Sequence, residues 1–179
     1  DNAFNRDLLA SILEREGFTN LETAKDGQSA LAKITSAPPD LLLLDLIMPN
    51  TDGYEVCRQL RKNDQYVNLP ILVQSILNSP QDLAKAFAAG TTDFLTKPIN
   101  APELLARTRV HLQRRALVRA LVSYRKRTTV ELERARSMQV RLLPTRTEME
   151  SFKSAGLSLA AHFEPSSELG GDFWGMART

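Results

Sequence analysis

This sequence predicts an α/β fold, a doubly wound parallel sheet followed by one long helix, and three observations carry the prediction. Short runs rich in apolar residues end in a polar side chain at residues 41–45, 71–75 and 93–97. Segments with helical spacing separate them, which is the alternation of βαβ units with right-handed crossovers and a three-layer sandwich. From residue 101 to 143 the only Gly or Pro is Pro102, which suits the first turn of a helix.

The run Leu41-Leu42-Leu43-Leu44-Asp45 anchors the reading. Four leucines are too few for an isolated helix and too apolar for a half-exposed strand, so they form a strand buried on both faces. Asp45 then sits at the strand's carboxyl end, the edge where open α/β sheets bind ligands. Pro49 and Gly53 turn the chain into the next helix. An Asp that merely caps that helix is the plain alternative if Asp45 is taken alone.

The other elements follow in order. Leu8, Leu9, Ile12 and Leu13 give residues 5–16 an apolar helix face that Gly17 closes. Residues 21–24 are a short strand candidate, and Asp26-Gly27 leads into a helix over 28–36. A helix over 54–62 precedes the strand at 71–75. Pro80 opens a helix that Gly90 closes, and Pro98 breaks the last strand.

Composition limits the function classes. Hydrophobic content of 42%, 25% charged residues and a net charge of +2 describe an ordinary soluble protein, with no whole-chain bias toward nucleic acid or membrane. No apolar run approaches the roughly 18 residues of a membrane span, and no signal peptide opens the chain, so a cytoplasmic location is expected. The single cysteine, Cys57, lies on an amphipathic helix and reads as a buried structural thiol. His111 and His162 have no metal-ligand pattern around them and read as structural.

Asp45, Ser75 and Lys97 end three different strands. A parallel sheet brings such ends to one rim, so a carboxylate, a hydroxyl and an ammonium converge there. This set suits phosphoryl transfer to an aspartate: the carboxylate attacks phosphorus, the lysine and a hard cation offset the oxygens' charge, and the hydroxyl hydrogen-bonds the product.

Together with Met48-Pro49, Asp52-Gly53, Ala89-Gly90 and Phe94-Leu95-Thr96-Lys97-Pro98, these residues resemble the receiver domain of two-component response regulators over residues 1–110. The resemblance implies a flavodoxin-like fold with a five-stranded parallel sheet. It makes Asp45 the phosphoacceptor, Ser75 the hydroxyl that moves onto the phosphoryl group, Lys97 its ion partner and Phe94 the switch aromatic, with a cis peptide at Lys97-Pro98. A histidine kinase or phosphotransfer protein is the implied donor. Mg²⁺ would be held by Asp1, Asp45 and the backbone carbonyl of Ile47. Asp1 aligns with the second of two acidic residues that follow the family's first strand, which has no counterpart in this sequence. Ile47 and Leu77, two residues beyond the acceptor and the hydroxyl, are apolar and cannot position a hydrolytic water, so a slowly hydrolysing acyl phosphate is expected.

Residues 111–147 read as a helical linker. Leu117, Leu121, Tyr124, Thr128, Ala135, Met138 and Leu142 recur four and three apart, broken by Glu131, which is a coiled-coil seam implying a homodimer. The seam is weak over 123–129, where a hinge is expected. The helix is rich in arginine, yet it lacks a base-reading Asn and its basic residues run beside the seam, so a DNA partner is not expected. The helix ending in Leu142-Leu143-Pro144, followed by Gly170-Gly171-Asp172, resembles the entry of PPM-type serine/threonine phosphatases that regulate sigma-factor partner switching, and makes residues 148–179 the start of such a domain. That resemblance implies a two-metal Mn²⁺ or Mg²⁺ site with Asp172 as one ligand, and a phosphoserine anti-sigma antagonist-type substrate. One such aspartate cannot hold two metals, so these residues alone should be inactive. A phosphorylation-controlled adaptor with an inactive phosphatase-like output is the alternative.

Overall fold

The computed structural model describes residues 3–48, 52–76 and 79–151. The chain divides into two units, residues 1–118 and 119–179.

In the first unit, helices α1 (Ala3–Arg15) and α2 (Gly27–Ser36) precede strand β1 (Leu42–Asp45). Helix α3 (Gly53–Arg61), a 3₁₀ turn (Asp64–Tyr66), β2 (Ile71–Ser75), α4 (Pro80–Ala88) and β3 (Asp93–Thr96) follow, and α5 (Ala101–Leu142) begins here. The strands are parallel in the order β1-β2-β3, with Leu44 opposite Val73 and Val73 opposite Phe94. Because side chains in register on neighbouring parallel strands point to the same face, this pairing sorts the core into two layers. Leu44 and Val73 pack with Ile34 of α2, Val56 and Leu60 of α3 and Ala86 of α4. Leu72 and Leu95 pack with Leu9 of α1 and Leu104 of α5 on the other face. Helices therefore cover both faces, as the doubly wound reading requires.

Caps set the helix starts. The Asp26 carboxylate accepts the Ser29 N–H at 2.7 Å, and that bond holds its pKa below the ordinary value. Asp52 accepts the Tyr54 N–H at 3.0 Å, so α3 starts at Gly53, one residue earlier than the sequence suggests. Arg61 ties the far end of this layer together, donating to the carbonyls of Gly90, Tyr66 and Leu69, each at 2.8 Å. Burial lowers its pKa from the usual value. Gly90 has φ +98°, and a Cβ there would lie 2.4 Å from Arg61 Cγ, so conformation and space both demand glycine.

Two expectations are corrected. Residues 21–24 form no strand, and three strands stand where the resemblance implies five, counting the described residues. An extended segment becomes a strand only with a ladder partner, and no described strand pairs with the outer edge of β1. The 3₁₀ turn was not anticipated; it buries Tyr66 beneath α2, where the hydroxyl reaches the Ile34 carbonyl. Cys57 is fully buried, which pushes its thiol up to about 11.

Along the first part of α5, Leu104, Thr108 and His111 are buried at helical spacing. Arg115 continues the face, donating to Asp40 at 3.2 Å and to the carbonyls of Asn68 and Pro39 at 3.0 and 3.1 Å.

In the second unit, α5 continues from Arg119 without a break through 123–129, so no hinge interrupts the helix there. Leu121, Tyr124, Met138 and Leu142 of the expected seam are exposed. The covered positions are Thr128, Leu132, Ala135 and Gln139, so over this stretch the covered face is turned slightly from the seam the sequence suggests. Helix α6 (Arg146–Ser151) opens on a reciprocal cap: the Glu148 carboxylate accepts the Thr145 N–H at 2.6 Å, and the Thr145 hydroxyl accepts the Glu148 N–H at 3.3 Å.

Candidate functional site

Asp45 is the last residue of β1 and is buried. The chain turns sharply after it and returns against the strand: the Gly53 N–H donates to the Leu46 carbonyl at 3.1 Å. A Cβ at Gly53 would lie 2.4 Å from the Asp45 carbonyl oxygen, so glycine at 53 is a steric requirement of this approach. Both carboxylate oxygens of Asp45 are engaged. Oδ1 accepts the Ile47 N–H at 3.0 Å and Oδ2 accepts the Lys97 ammonium.

Lys97 reaches Asp45 from two strands away. Its N–H donates to the Ser75 carbonyl at 2.9 Å, which carries the ladder one residue past the end of β3. Alternation then puts Lys97 on the same sheet face as Leu95, Gln74 and Asp45, and its side chain crosses β2 to make the ion pair. The pair lies at the rim, with the Asp45 side chain 5% exposed and that of Lys97 20%. The Lys97-Pro98 peptide is cis.

Ser75 ends β2 and is buried. It is one residue out of phase with Asp45 and lines a small hollow on the other face with Leu46, Tyr54, Asp82 and Phe94. Burial, with Asp82 and Asp52 nearby, raises the pKa of the Tyr54 phenol. Phe94 is half-buried; its ring meets Phe87 edge-on at 6.3 Å, and the Arg107 guanidinium lies 5.9 Å from its centroid. Asp1, Leu77, His162 and Asp172 lie outside the described residues.

One polar cluster was not read from the sequence. Asp93 accepts both bonds of a fork from Arg107 Nη1, at 2.8 Å each, and meets His111 Nε2 at 3.0 Å. Burial pushes the Asp93 carboxyl up, but the bonds from His111, Arg107 and the Phe94 N–H outweigh it and leave the pKa below the ordinary value. The acid beside His111, Asp93, was not expected from the sequence. The available signal was an acid at the start of an apolar strand. Gln74, a carboxamide inside the fully buried β2, was also passed over.

Chemically, the rim offers an aspartate whose oxygens are held in fixed directions, with a lysine charge beside them. Such a carboxylate can attack phosphorus, and the ammonium can balance charge on the transferred oxygens. The same carboxylate is a hard oxygen donor of the kind Mg²⁺ takes, one or two carboxylates with waters and phosphate completing the octahedron. Among the described residues no cluster of three or more metal-ligating side chains occurs.

A profile of the response regulator receiver domain matches residues 1–109. The chain is 38% identical over 108 residues to the DNA-binding dual master transcriptional regulator RpaA of Synechocystis sp., covering 60% of this chain and 44% of that protein. It is 34% identical over 151 residues to the phosphate regulon transcriptional regulatory protein PhoB of Rhizobium meliloti, covering 81% and 66%. Thus it spans about half to two thirds of the length of these relatives. Among solved structures, the Vibrio cholerae chemotaxis protein CheY4 superposes with a TM-score of 0.57 at 33% identity, covering 60% of this chain and 89% of that one. NtrX from Brucella abortus superposes at 0.61 and 32% identity, covering 72% and 28%. On the profile match over most of its length, and on the doubly wound sheet with Asp45 and Lys97 joined at the rim, this chain belongs to the response regulator receiver domain family.

Proposed function

We propose that Asp45 is the phosphoacceptor of a two-component signalling protein. The observation that carries this reading is the buried Asp45 carboxylate, oriented by the Ile47 N–H and paired with a lysine that crosses a whole strand to reach it. A carboxylate oxygen of Asp45 attacks the phosphorus of a phosphohistidine on a kinase or phosphotransfer protein; the P–N bond breaks, and the imidazole leaves with its electron pair and is protonated. Lys97 follows the charge from carboxylate to phosphoryl oxygen, and Ser75 turns its hydroxyl toward the new group. Receiver domains generally bind Mg²⁺ for phosphorylation; here Asp45, the Ile47 carbonyl and Asp1 would hold it, and when bound it supplies further positive charge to the phosphoryl oxygens. Phe94 is the element whose movement reports the event, because it lines the hollow beside Ser75 and also lies under Arg107 of α5.

Borohydride reduction after phosphorylation converts an aspartyl phosphate to homoserine. Peptide mapping should find homoserine at position 45, and finding it elsewhere or nowhere rejects the assignment. The apolar, 55% exposed Ile47 beside the acceptor supports a long-lived acyl phosphate, and decay within seconds would contradict it.

For the output, the reading is a PPM-type phosphatase entered through Leu142-Leu143-Pro144, with Asp172 as one metal ligand and stalks that pair through the exposed apolar residues of α5. The end of α5 at Leu142 supports that placement. A phospho-regulated adaptor with an inactive output is the second reading, and two further metal aspartates in the output domain would decide against it. The names of the relatives suggest a transcriptional output instead; a mobility shift on DNA at low salt would favour that reading over both. Among the described residues no helix is long and apolar enough to cross a membrane.

A further inference from the structure

We propose that Gln74 is a positioning residue of the Asp45 site: its carboxamide oxygen accepts a hydrogen bond from the Lys97 ammonium once Asp45 is esterified. The inference rests on Asp45 being the acceptor. The register places Gln74 directly opposite Asp45 on one side and Leu95 on the other, so its side chain leaves the sheet on their shared face. Lys97 follows β3 on that face and pairs with Asp45 of β1, so the ion pair spans the strand that carries Gln74. The side chain is nine-tenths buried and more, at 3% exposed, and its Oε1 has no hydrogen-bond partner among the described residues.

A buried carbonyl oxygen without a donor is a standing cost, and Leu72 and Leu95 show that leucine packs well on this face. The amide becomes useful when the charge on Asp45 changes. While Asp45 is a carboxylate, its full charge draws the ammonium to Oδ2. Once an oxygen of Asp45 is bonded to phosphorus, the negative charge moves outward onto the phosphoryl oxygens and Lys97 must shift with it. A neutral acceptor on the strand between the two residues then keeps Lys97 at the rim, where the phosphoryl oxygens need it.

The test is phosphorylation of the full chain by acetyl phosphate with Mg²⁺, comparing wild type, Gln74→Leu, Gln74→Met and Asp45→Asn. Both Gln74 variants should lose about tenfold in maximal rate, the size of one hydrogen bond to a charged group, with the half-saturating donor concentration unchanged. Wild-type maximal rates in both, or a change confined to the half-saturating concentration, overturn the proposal. Uptake by Asp45→Asn equal to wild type overturns instead the phosphoacceptor reading beneath it. A structure of the wild-type chain with beryllofluoride on Asp45 reads the contact without substitution: Gln74 Oε1 within hydrogen-bonding distance of Lys97 Nζ is expected, and a greater separation contradicts it.

Discussion

Helix α5 is a single element, but its two stretches are wired differently. Up to Arg115, three arginines are tied to acids of the first unit: Arg107 to Asp93, Arg109 to Glu16 and Arg115 to Asp40. Leu104, Thr108 and His111 fill the face between them. Beyond Arg119, Leu121 and Tyr124 are exposed, and among the described residues Arg127 pairs within the helix, with Glu131. Helix propensity is similar in both stretches, so what distinguishes them is what each side chain meets. The first stretch is part of a core, whereas in the second Leu121 and Tyr124 lie on the surface and Thr128, Leu132, Ala135 and Gln139 are covered.

The largest expected effects test that contrast directly. Leu104→Ala should destabilise the first unit by about 2–5 kcal/mol in urea unfolding, because Leu104 is fully buried, whereas Leu121→Ala should change that unfolding by less than about 0.5 kcal/mol. Equal losses would erase the distinction. Next, Arg115→Ala should cost about 1–3 kcal/mol, since Asp40 and two carbonyls lose their donor together.

Asp93 sharpens the comparison through pH. Its pKa is lower in the folded chain than in the unfolded one, so the unfolded chain binds the proton more readily and stability rises with pH. The contribution is complete above about pH 4, the ordinary aspartate value, and is lost as pH falls through the lowered folded value. Asp93→Asn should flatten that acid limb of an unfolding-versus-pH curve.

The smallest effect concerns the exposed stretch. Arg127, Arg134 and Arg141 recur at a seven-residue spacing, and no acid occurs between residues 104 and 130. If the stalks pair, each set of facing arginines costs about 0.5 kcal/mol at low salt. Sedimentation should therefore show association strengthening as salt is raised. Association that weakens with salt would point to an acidic partner surface instead.

Much of the fold was legible because its signals are local. The leucine run ending at Asp45 read as a strand, though it spans Leu42–Asp45 and only Leu44 and Asp45 of it are buried; Gly90 had to close a helix, and Asp52-Gly53 marked the turn behind Asp45. The meeting of Asp45 with Lys97 was legible through topology, since parallel strand ends share a rim. What could not be read depends on contacts that sequence spacing does not encode. Residues 21–24 had strand composition but no ladder partner. The face of α5 covered beyond Arg119 is turned slightly from the heptad count. Asp93, Arg107 and His111 converge only because β3 and α5 pack side by side, and Gln74 matters only once the register sets it under the Lys97 bridge.

The central claim is that Asp45 is the residue that takes the phosphoryl group. Intact mass of the chain after treatment with acetyl phosphate and Mg²⁺ tests it most directly. Wild type should gain the mass of one phosphoryl group and Asp45→Asn should gain none; equal gain in both, or none in wild type, would contradict the account.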